Sequence, residues 1–339
     1  MDEQKRILIT GASGFIGGFL VEEALQRGYD VWAGVRSGSS RHRLRDKRIN
    51  FIDLHYDDKA ALTKQLCEIV STSGAWHYVI HNAGITKTLN VSDFYKVNAF
   101  NTHNLIEALA ESGCKPEKFL LMSSLSSYGA VNEHSFRSIC PDDMQLPDSV
   151  YGKSKLEAEL FLRAQTYFPY VILHPTGVYG PGDKDYLMEI KSVKSGLDLK
   201  MGMKPQRISF IYVRDLAAAS FLALESKTAN NKSYFVADGD VYTDTEFAAL
   251  IRKLLNKRFV FNLRIPMWVC YLACVFSEFV GHMVGKAMTL NTDKYKILKQ
   301  RNWICETDLI RRELGFIPRY NLKEGLEETI CYCKEEGLL

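Results

Sequence analysis

Between the apolar run Arg6-Ile7-Leu8-Ile9-Thr10 and a helical pattern with apolar residues at Phe15, Ile16, Phe19, Leu20 and Ala24 lies the turn Thr10-Gly11-Ala12-Ser13-Gly14-Phe15-Ile16-Gly17. The run has the length and composition of a buried strand, and the spacing after it predicts an amphipathic helix. Glycines at such a junction let the backbone fold sharply and approach a pyrophosphate, while the helix presents free N–H groups and its positive dipole end to the anion. The turn therefore predicts that a parallel α/β sheet begins here, and that Gly11, Ser13, Gly14, Phe15, Ile16 and Gly17 cradle a dinucleotide. The plainer alternative is a tight strand-to-helix turn that holds no ligand.

The 339 residues are 46% hydrophobic and 24% charged, enough for a large core in one big domain or a large and a small one. A net charge of +3 is too mild to point to nucleic acid or a membrane surface. Eight cysteines without a C-x-x-C spacing indicate neither a zinc site nor a disulfide framework, so reduced thiols in a cytoplasm are expected. The first six residues carry both signs of charge and do not read as a signal peptide. One membrane-like stretch, Ile265 to Phe276, is interrupted soon afterwards by Glu278 and His282 and falls short of the roughly 20 residues of a spanning helix. Packing in the core is expected of it, then a lid over an apolar substrate, and membrane contact last.

Along the chain, Tyr29 to Arg36 reads as a second strand whose end should lie beside an adenosine ribose. An acidic residue there would select NAD; the sequence offers Val35 and Arg36, and a guanidinium favours the 2′-phosphate of NADP. Arg43, in the basic loop that follows, is a second candidate, with a solvated loop as the plain reading. Ile49 to Leu54 predicts a third strand with Asp53 and Leu54 near the adenine, and Tyr78 to Ile80 a fourth, ending at His81-Asn82-Ala83-Gly84. The small Ala83 and Gly84 permit close cofactor approach. Val91 to Ser112 predicts a long amphipathic helix containing Asn98, and Phe119 to Met122 a fifth strand running into Ser123-Ser124-Leu125-Ser126-Ser127-Tyr128-Gly129 and a polar loop. Tyr151 and Lys155 then open a helix, four apart on one face. A neighbouring ammonium would pull the phenol below its usual pKa of about 10 and suit it to acid–base work.

Taken in order, the glycine turn, Asp53-Leu54, His81 to Gly84, Asn98, the serines, Tyr151 with Lys155, His174 to Asp183 and Phe210-Ile211-Tyr212-Val213-Arg214-Asp215 resemble an extended short-chain dehydrogenase/reductase. This is the group also labelled the NAD-dependent epimerase/dehydratase family, and the likeness spans nearly the whole length. It implies a Rossmann-type doubly wound parallel sheet with a smaller C-terminal substrate lobe: a cofactor-binding core to about 170, strands returning from about 171–180 and 208–240, and a lobe from about 181–207 and 241–339. By resemblance Tyr151 is the general acid or base, Lys155 holds the nicotinamide ribose, Ser124 orients the reacting oxygen, and Asn98 serves a water relay to the lysine. Pro175 and Val178 would pack beside the nicotinamide. The helices beginning near Val91 and Tyr151 would form a homodimer interface.

Departures from the family narrow the reaction. Dehydratases carry two carboxylates directly after the catalytic Ser/Thr, where this chain has Leu125 and Ser126, so dehydration is not expected. Nucleotide-sugar epimerases have an arginine where this chain has Ile208, with Arg207 one position away, and His174 in place of a frequent arginine reads as a buried structural histidine. The apolar stretch at 265–276, together with Arg36, resembles the branch of dihydroflavonol reductases and 3β-hydroxysteroid dehydrogenases. The leading expectation is an NADP(H)-dependent oxidoreductase, with NAD as the other possible cofactor, acting between ketone or aldehyde and alcohol on a fairly apolar small molecule. A nucleotide-sugar epimerase using bound NAD and a non-catalytic NADP(H)-binding sensor or scaffold are the alternatives. Neither a metal nor nucleic acid is expected.

Overall fold

The computed structural model describes residues 4–129, 133 and 135–339; residues 1–3 of the charged N-terminus and 130–132 and 134 of the polar loop lie outside the described residues. Seven parallel strands form the central sheet. In chain order they include β1 (Arg6–Thr10), β2 (Asp30–Gly34), β3 (Asn50–Ile52), β4 (Tyr78–His81), β5 (Lys118–Met122) and β6 (Tyr170–Pro175), and the strand Lys232–Val236 closes one edge. The spatial order is β3-β2-β1-β4-β5-β6 followed by Lys232–Val236, every pair parallel. Every residue of β4 and β5 is buried, as expected of strands covered by helices on both faces. The chain runs outward from β1 to β3 and returns through the helix Lys59–Ser73 to place β4 on the other side of β1. That reversal leaves a crevice above the carboxyl ends of β1 and β4, where Thr10 and His81 stand.

Two helices flank this crevice. The long amphipathic helix expected over 91–112 is there, but not as one regular α-helix. It runs as α-helix over Ser92–Phe94, as a wider π-helical turn over Tyr95–Phe100 and as α-helix again over Asn101–Glu111. The π-turn contains Asn98, a distortion that no hydrophobic period reveals. The helix Val150–Ala164 carries Tyr151 and Lys155. Ser149 caps it through Gly152 N–H at 3.0 Å, and Asp293, from far along the chain, accepts from Val150 N–H at 2.6 Å and Tyr151 N–H at 3.1 Å.

The remaining elements stand at the carboxyl-end side of the chain order in smaller sheets: Leu197–Met201 pairs with Phe261–Ile265, and Arg207–Ile208 lies between Tyr242–Thr243 and Asn302–Trp303. The C-terminal segment is tied back by Asp215, whose buried carboxylate accepts from Arg319 N–H at 3.0 Å and Tyr320 N–H at 2.9 Å. A capping box at Asn321 and Glu324 then starts the last helix, Leu322–Glu335.

The apolar stretch departs from its expectation. A helix runs from Met267 to Val284, straight through Glu278 and His282, because the Glu278 carboxylate turns aside to accept from Thr292 N–H at 3.1 Å. It is not core: only 17% of it is buried, and Trp268, Phe276 and Met283 are 67%, 68% and 72% exposed. Its inward face is made by Cys270, Cys274 and Gly281, so the residues that pack are the small ones. By length and composition alone this helix could cross a membrane.

Asp215→Ala would leave two backbone donors beneath the C-terminal segment without their acceptor. We expect a loss of roughly 2–4 kcal/mol in urea unfolding at unchanged m-value; a loss below about 0.5 kcal/mol would show that the segment is held by packing alone.

Candidate functional site

The turn after β1 is shaped by close approach. Gly11 has φ +65°, and a Cβ there would come within 2.9 Å of the Ala83 backbone; a Cβ on Gly17 would collide with the Gly11 carbonyl. Gly14 N–H donates to Gly11 C=O at 3.0 Å and begins the helix Phe15–Gln26, which no side chain caps. Uncapped N–H groups facing a cradle floored by glycine suit an anionic pyrophosphate.

Behind the turn lies a buried polar chain. Thr10 Oγ1 accepts from both Asn82 N–H and Ala83 N–H at 3.1 Å, which fills its lone pairs, so its own hydroxyl donates to His81 Nδ1 at 2.9 Å. His81 therefore carries its proton on Nε2 and donates to Thr102 Oγ1 at 2.9 Å, and Thr102 donates to the Asn98 carbonyl at 2.7 Å. Burial, with a smaller contribution from the Lys155 charge, pushes the imidazole down to about 3 and keeps it neutral. The π-turn aims the Asn98 carboxamide at the other wall. Its Oδ1 accepts from Ile85 N–H at 2.8 Å, and its Nδ2 donates to Ile85 C=O and Ser154 Oγ, each at 3.0 Å.

Tyr151, Ser124 and Lys155 converge on this wall. The Ser124 hydroxyl neighbours the Tyr151 phenol and accepts from Ser126 N–H at 3.2 Å. Lys155 is buried and donates from Nζ to Met122 C=O at 2.9 Å; a Cβ on Gly84 would lie 3.0 Å from Asn98 Oδ1 and 3.3 Å from Lys155 Nζ. Burial pulls the ammonium down to about 8, with the Glu159 charge opposing. The expectation that Lys155 lowers the phenol pKa is corrected: burial raises the phenol, and the neighbouring Ser124 hydroxyl offsets this only in part. Burial is the larger effect, with the Phe94 ring packed edge-on against Tyr151 at 6.2 Å.

A cleft of about 1440 Å³ extends from this point across the sheet, above the 300–1,000 Å³ typical of a site for one small ligand. Of the sequence candidates, Gly11, Ser13, Gly14, Phe15, Ile16, Arg36, Arg43, Asp53, Leu54, Ala83, Gly84, Tyr151 and Lys155 line it. Gly17 and Asn98 stand behind its wall, and Ser124 reaches it through Tyr151. Pro175 and Val178 are not brought to the lining: Pro175 is buried in register with Val236, and Val178 is half-buried in register with Ile211. Arg36 is exposed at the end of β2, with no side-chain partner among the described residues. Asp53 accepts from Ser37 N–H at 2.7 Å, closing the loop after β2. Arg43 is already occupied, donating to Pro181 C=O at 2.8 Å and Tyr332 OH at 3.2 Å, which clamps the cleft rim.

Two groups escaped sequence reasoning. Glu159, four residues after Lys155, accepts from Ser123, His174 at 3.0 Å, Gln145 at 2.9 Å and Arg163 at 3.0 Å. Burial alone would push this carboxyl up, yet His174 and the hydrogen bonds hold it at about 2. The repeat Lys155, Glu159, Arg163 at i, i+4 was the available signal. His174 is the buried structural histidine the sequence suggested, packed between the rings of Tyr128 and Phe235. Asp293, which caps the Tyr151 helix, had no sequence signal.

A family model described as the NAD dependent epimerase/dehydratase family matches residues 7–237. The chain belongs to that family. Its relatives divide in activity. One is the UDP-glucose 4-epimerase of Vibrio cholerae, 27% identical over 96% of this chain and 94% of that one. Another is the 3-beta-hydroxysteroid dehydrogenase of Mycolicibacterium neoaurum, 24% identical over 96% of this chain and 91% of that one. The solved structure of the Bordetella bronchiseptica enzyme WbmG in complex with NAD superimposes with a TM-score of 0.78, at 18% identity, covering 99% of this chain and 96% of that one. As a member of this family the protein is a nicotinamide-dependent enzyme of the extended short-chain dehydrogenase/reductase type, and the glycine cradle and uncapped helix fit that cofactor.

Lys155 gives a stability test with a definite sign. Between about pH 8 and its ordinary value near 10.5 the unfolded chain holds a proton that the folded protein lacks, so this residue's burial penalty is full below pH 8 and is relieved as pH rises. Lys155→Met should therefore be more stable than the parent at pH 7, by up to roughly 3 kcal/mol before the cost of the unbonded Met122 carbonyl. The gap should shrink towards pH 10 in thermal melts of cofactor-free protein. A gap that grows with pH would contradict the assignment.

Proposed function

We propose that the protein is an NADP(H)-dependent oxidoreductase that interconverts a ketone or aldehyde with an alcohol on a fairly apolar small molecule. The observation that carries this reading is the convergence of the neighbouring Ser124 and Tyr151 hydroxyls with the Lys155 ammonium at Gly84, on the wall of a cleft whose opposite end presents the unpartnered Arg36. A bound nicotinamide supplies or accepts the hydride. Everything else falls to the chain. Ser124 holds the substrate oxygen, and Tyr151, protonated at neutral pH because burial raises it, donates its phenolic proton to that oxygen during reduction. Lys155 binds the nicotinamide ribose at Gly84. The Asn98 carboxamide holds Ile85 and Ser154 so that the two walls keep their spacing. At the far end Arg36 meets the 2′-phosphate of NADP(H), and no carboxylate pairs with it. Exposed Phe100 and Leu160, on the two helices that flank the site, make the face for a homodimer.

One observation favours a second reading. Arg207 and Arg301 each lie 4.8 Å from the ring of Phe136, and two cations together would suit the diphosphate of a sugar nucleotide. Purification separates the two, because an epimerase that cycles its cofactor internally holds NAD tightly, whereas the proposed reductase arrives empty and binds added NADPH. Retained NAD would overturn the reductase reading.

Arg36→Ala should weaken NADPH binding at least tenfold and NADH binding less than twofold, on the order of one charge-assisted hydrogen bond; equal weakening would make Arg36 a plain surface charge. Tyr151→Phe should retain NADPH binding and lose about 10²–10⁴ in kcat against a panel of ring ketones. Unchanged cellular function of that variant would favour a binding-only sensor or scaffold.

A further inference from the structure

The outward face of the helix Met267–Val284 is a continuous apolar stripe. Trp268, Leu272, Val275, Phe276, Phe279 and Met283 follow one another at helical spacing, all exposed and with no charge among them. The adjoining strand pair extends the surface with exposed Leu199, Phe261 and Leu263. Strand and helix are joined at Pro266, and Gly202 N–H, donating to Ile265 C=O at 2.8 Å, fixes the junction. Exposed single hydrophobic residues are ordinary, but a contiguous patch of large ones marks a contact surface.

The charges around the patch identify what it meets. Half-buried Lys257 and exposed Arg258 precede the strand Phe261–Ile265, exposed Lys204 follows Met203 at the junction, and exposed Lys286 follows the helix. Across residues 257–291 the only acid is Glu278, which faces inward onto Thr292, while the remaining cation, Arg264, is paired with Asp244. Two copies meeting symmetrically through this face would press their basic rims together. Anionic headgroups around buried acyl chains complement both rim and stripe.

Nor can the helix be a core element or a leader, being mostly exposed and lying at 267–284 of 339 residues. Its N-terminal end is held by the strand pair. Tyr271, in its first half, packs on Tyr295 at 5.2 Å, and nearer its C-terminal end Glu278 accepts from Thr292 N–H at 3.1 Å. A helix tethered in this way lies along a bilayer rather than across it. We propose that this face docks on an anionic lipid bilayer, with the helix in the plane of the interface and its stripe at the boundary of headgroups and acyl chains. The docked helix leads directly to the cleft: Thr289 accepts from Lys87 at 3.0 Å, and Asp293 caps the Tyr151 helix. If the reaction is the one proposed above, an apolar substrate would enter from the lipid side; the docking itself does not rest on that reading.

The test is flotation of the full-length protein with phosphatidylcholine vesicles, with and without phosphatidylglycerol, alongside light scattering of the lipid-free protein. Flotation with the anionic vesicles, reduced at least tenfold by Phe276→Asp with Phe279→Asp and several-fold by Lys257→Glu with Arg258→Glu or by raised salt, supports the proposal. Should the aspartate variant fail to fold, quenching of Trp fluorescence by brominated phosphatidylglycerol, present in the parent and diminished in Trp268→Phe, reads the same contact. Absence of flotation and quenching overturns it, as does equal binding to neutral vesicles. A dimer that Phe276→Asp with Phe279→Asp dissociates, in a protein that ignores vesicles, assigns the face to a second copy instead.

Discussion

Thr10 and His81 stand at the carboxyl ends of neighbouring strands, and the hydrogen bonds that run from them through Thr102 to the carbonyl of Asn98 tie the glycine turn to the opposite wall of the cleft. Each member of that chain has one donor role available to it, because Thr10 accepts two backbone N–H groups and so must give its proton to His81. A neutral, singly oriented imidazole is the result. The π-turn at Asn98 then turns the carboxamide onto Ile85 and Ser154, which fixes the segment after Gly84 against the helix bearing Tyr151 and Lys155. A buried network of this kind is costly if any partner is missing, so it specifies one spacing between the two walls.

The same wall joins segments distant along the chain. Ser149 gives the Tyr151 helix a local cap, but Asp293 adds a carboxylate from the C-terminal part of the chain at the positive end of its dipole. Movement of the segment that carries Asp293 therefore reaches the Tyr151 backbone directly. On the other side of that helix, Glu159 gathers Ser123, Gln145, Arg163 and His174, fixing the strand end that leads to Ser124. Arg43 does the corresponding work at the rim by joining the loop after β2 to Pro181 and Tyr332.

Much of this was legible in the sequence where local chemistry demands a residue type. The glycine turn could be read because close backbone approach tolerates little else at Gly11 and Gly17, and the central strands because burial on both faces leaves unbroken apolar runs. Tyr151 and Lys155 could be read from their helical spacing. What escaped depends on partners distant in sequence. Nothing around residue 293 announces that its carboxylate caps a helix 142 residues earlier, and nothing around Asn98 announces a π-turn. The phenol pKa ran opposite to expectation because spacing reports proximity to a cation but not the depth of burial. For the helix 267–284, apolarity showed that a face needs covering without showing which face the protein itself covers; the small Cys270, Cys274 and Gly281 took the inner one.

The central claim is that one cleft above β1 and β4 holds a dinucleotide with its reactive end at Tyr151 and its adenosine end at Arg36. A crystal structure of the protein with NADP(H) tests it most directly. The account predicts the nicotinamide ribose within hydrogen-bond reach of Lys155 Nζ beside Gly84, the pyrophosphate over the Gly11–Gly17 turn, and the 2′-phosphate against the Arg36 guanidinium. A dinucleotide whose nicotinamide end lies away from Tyr151, or whose 2′-phosphate makes no contact with Arg36, would contradict it.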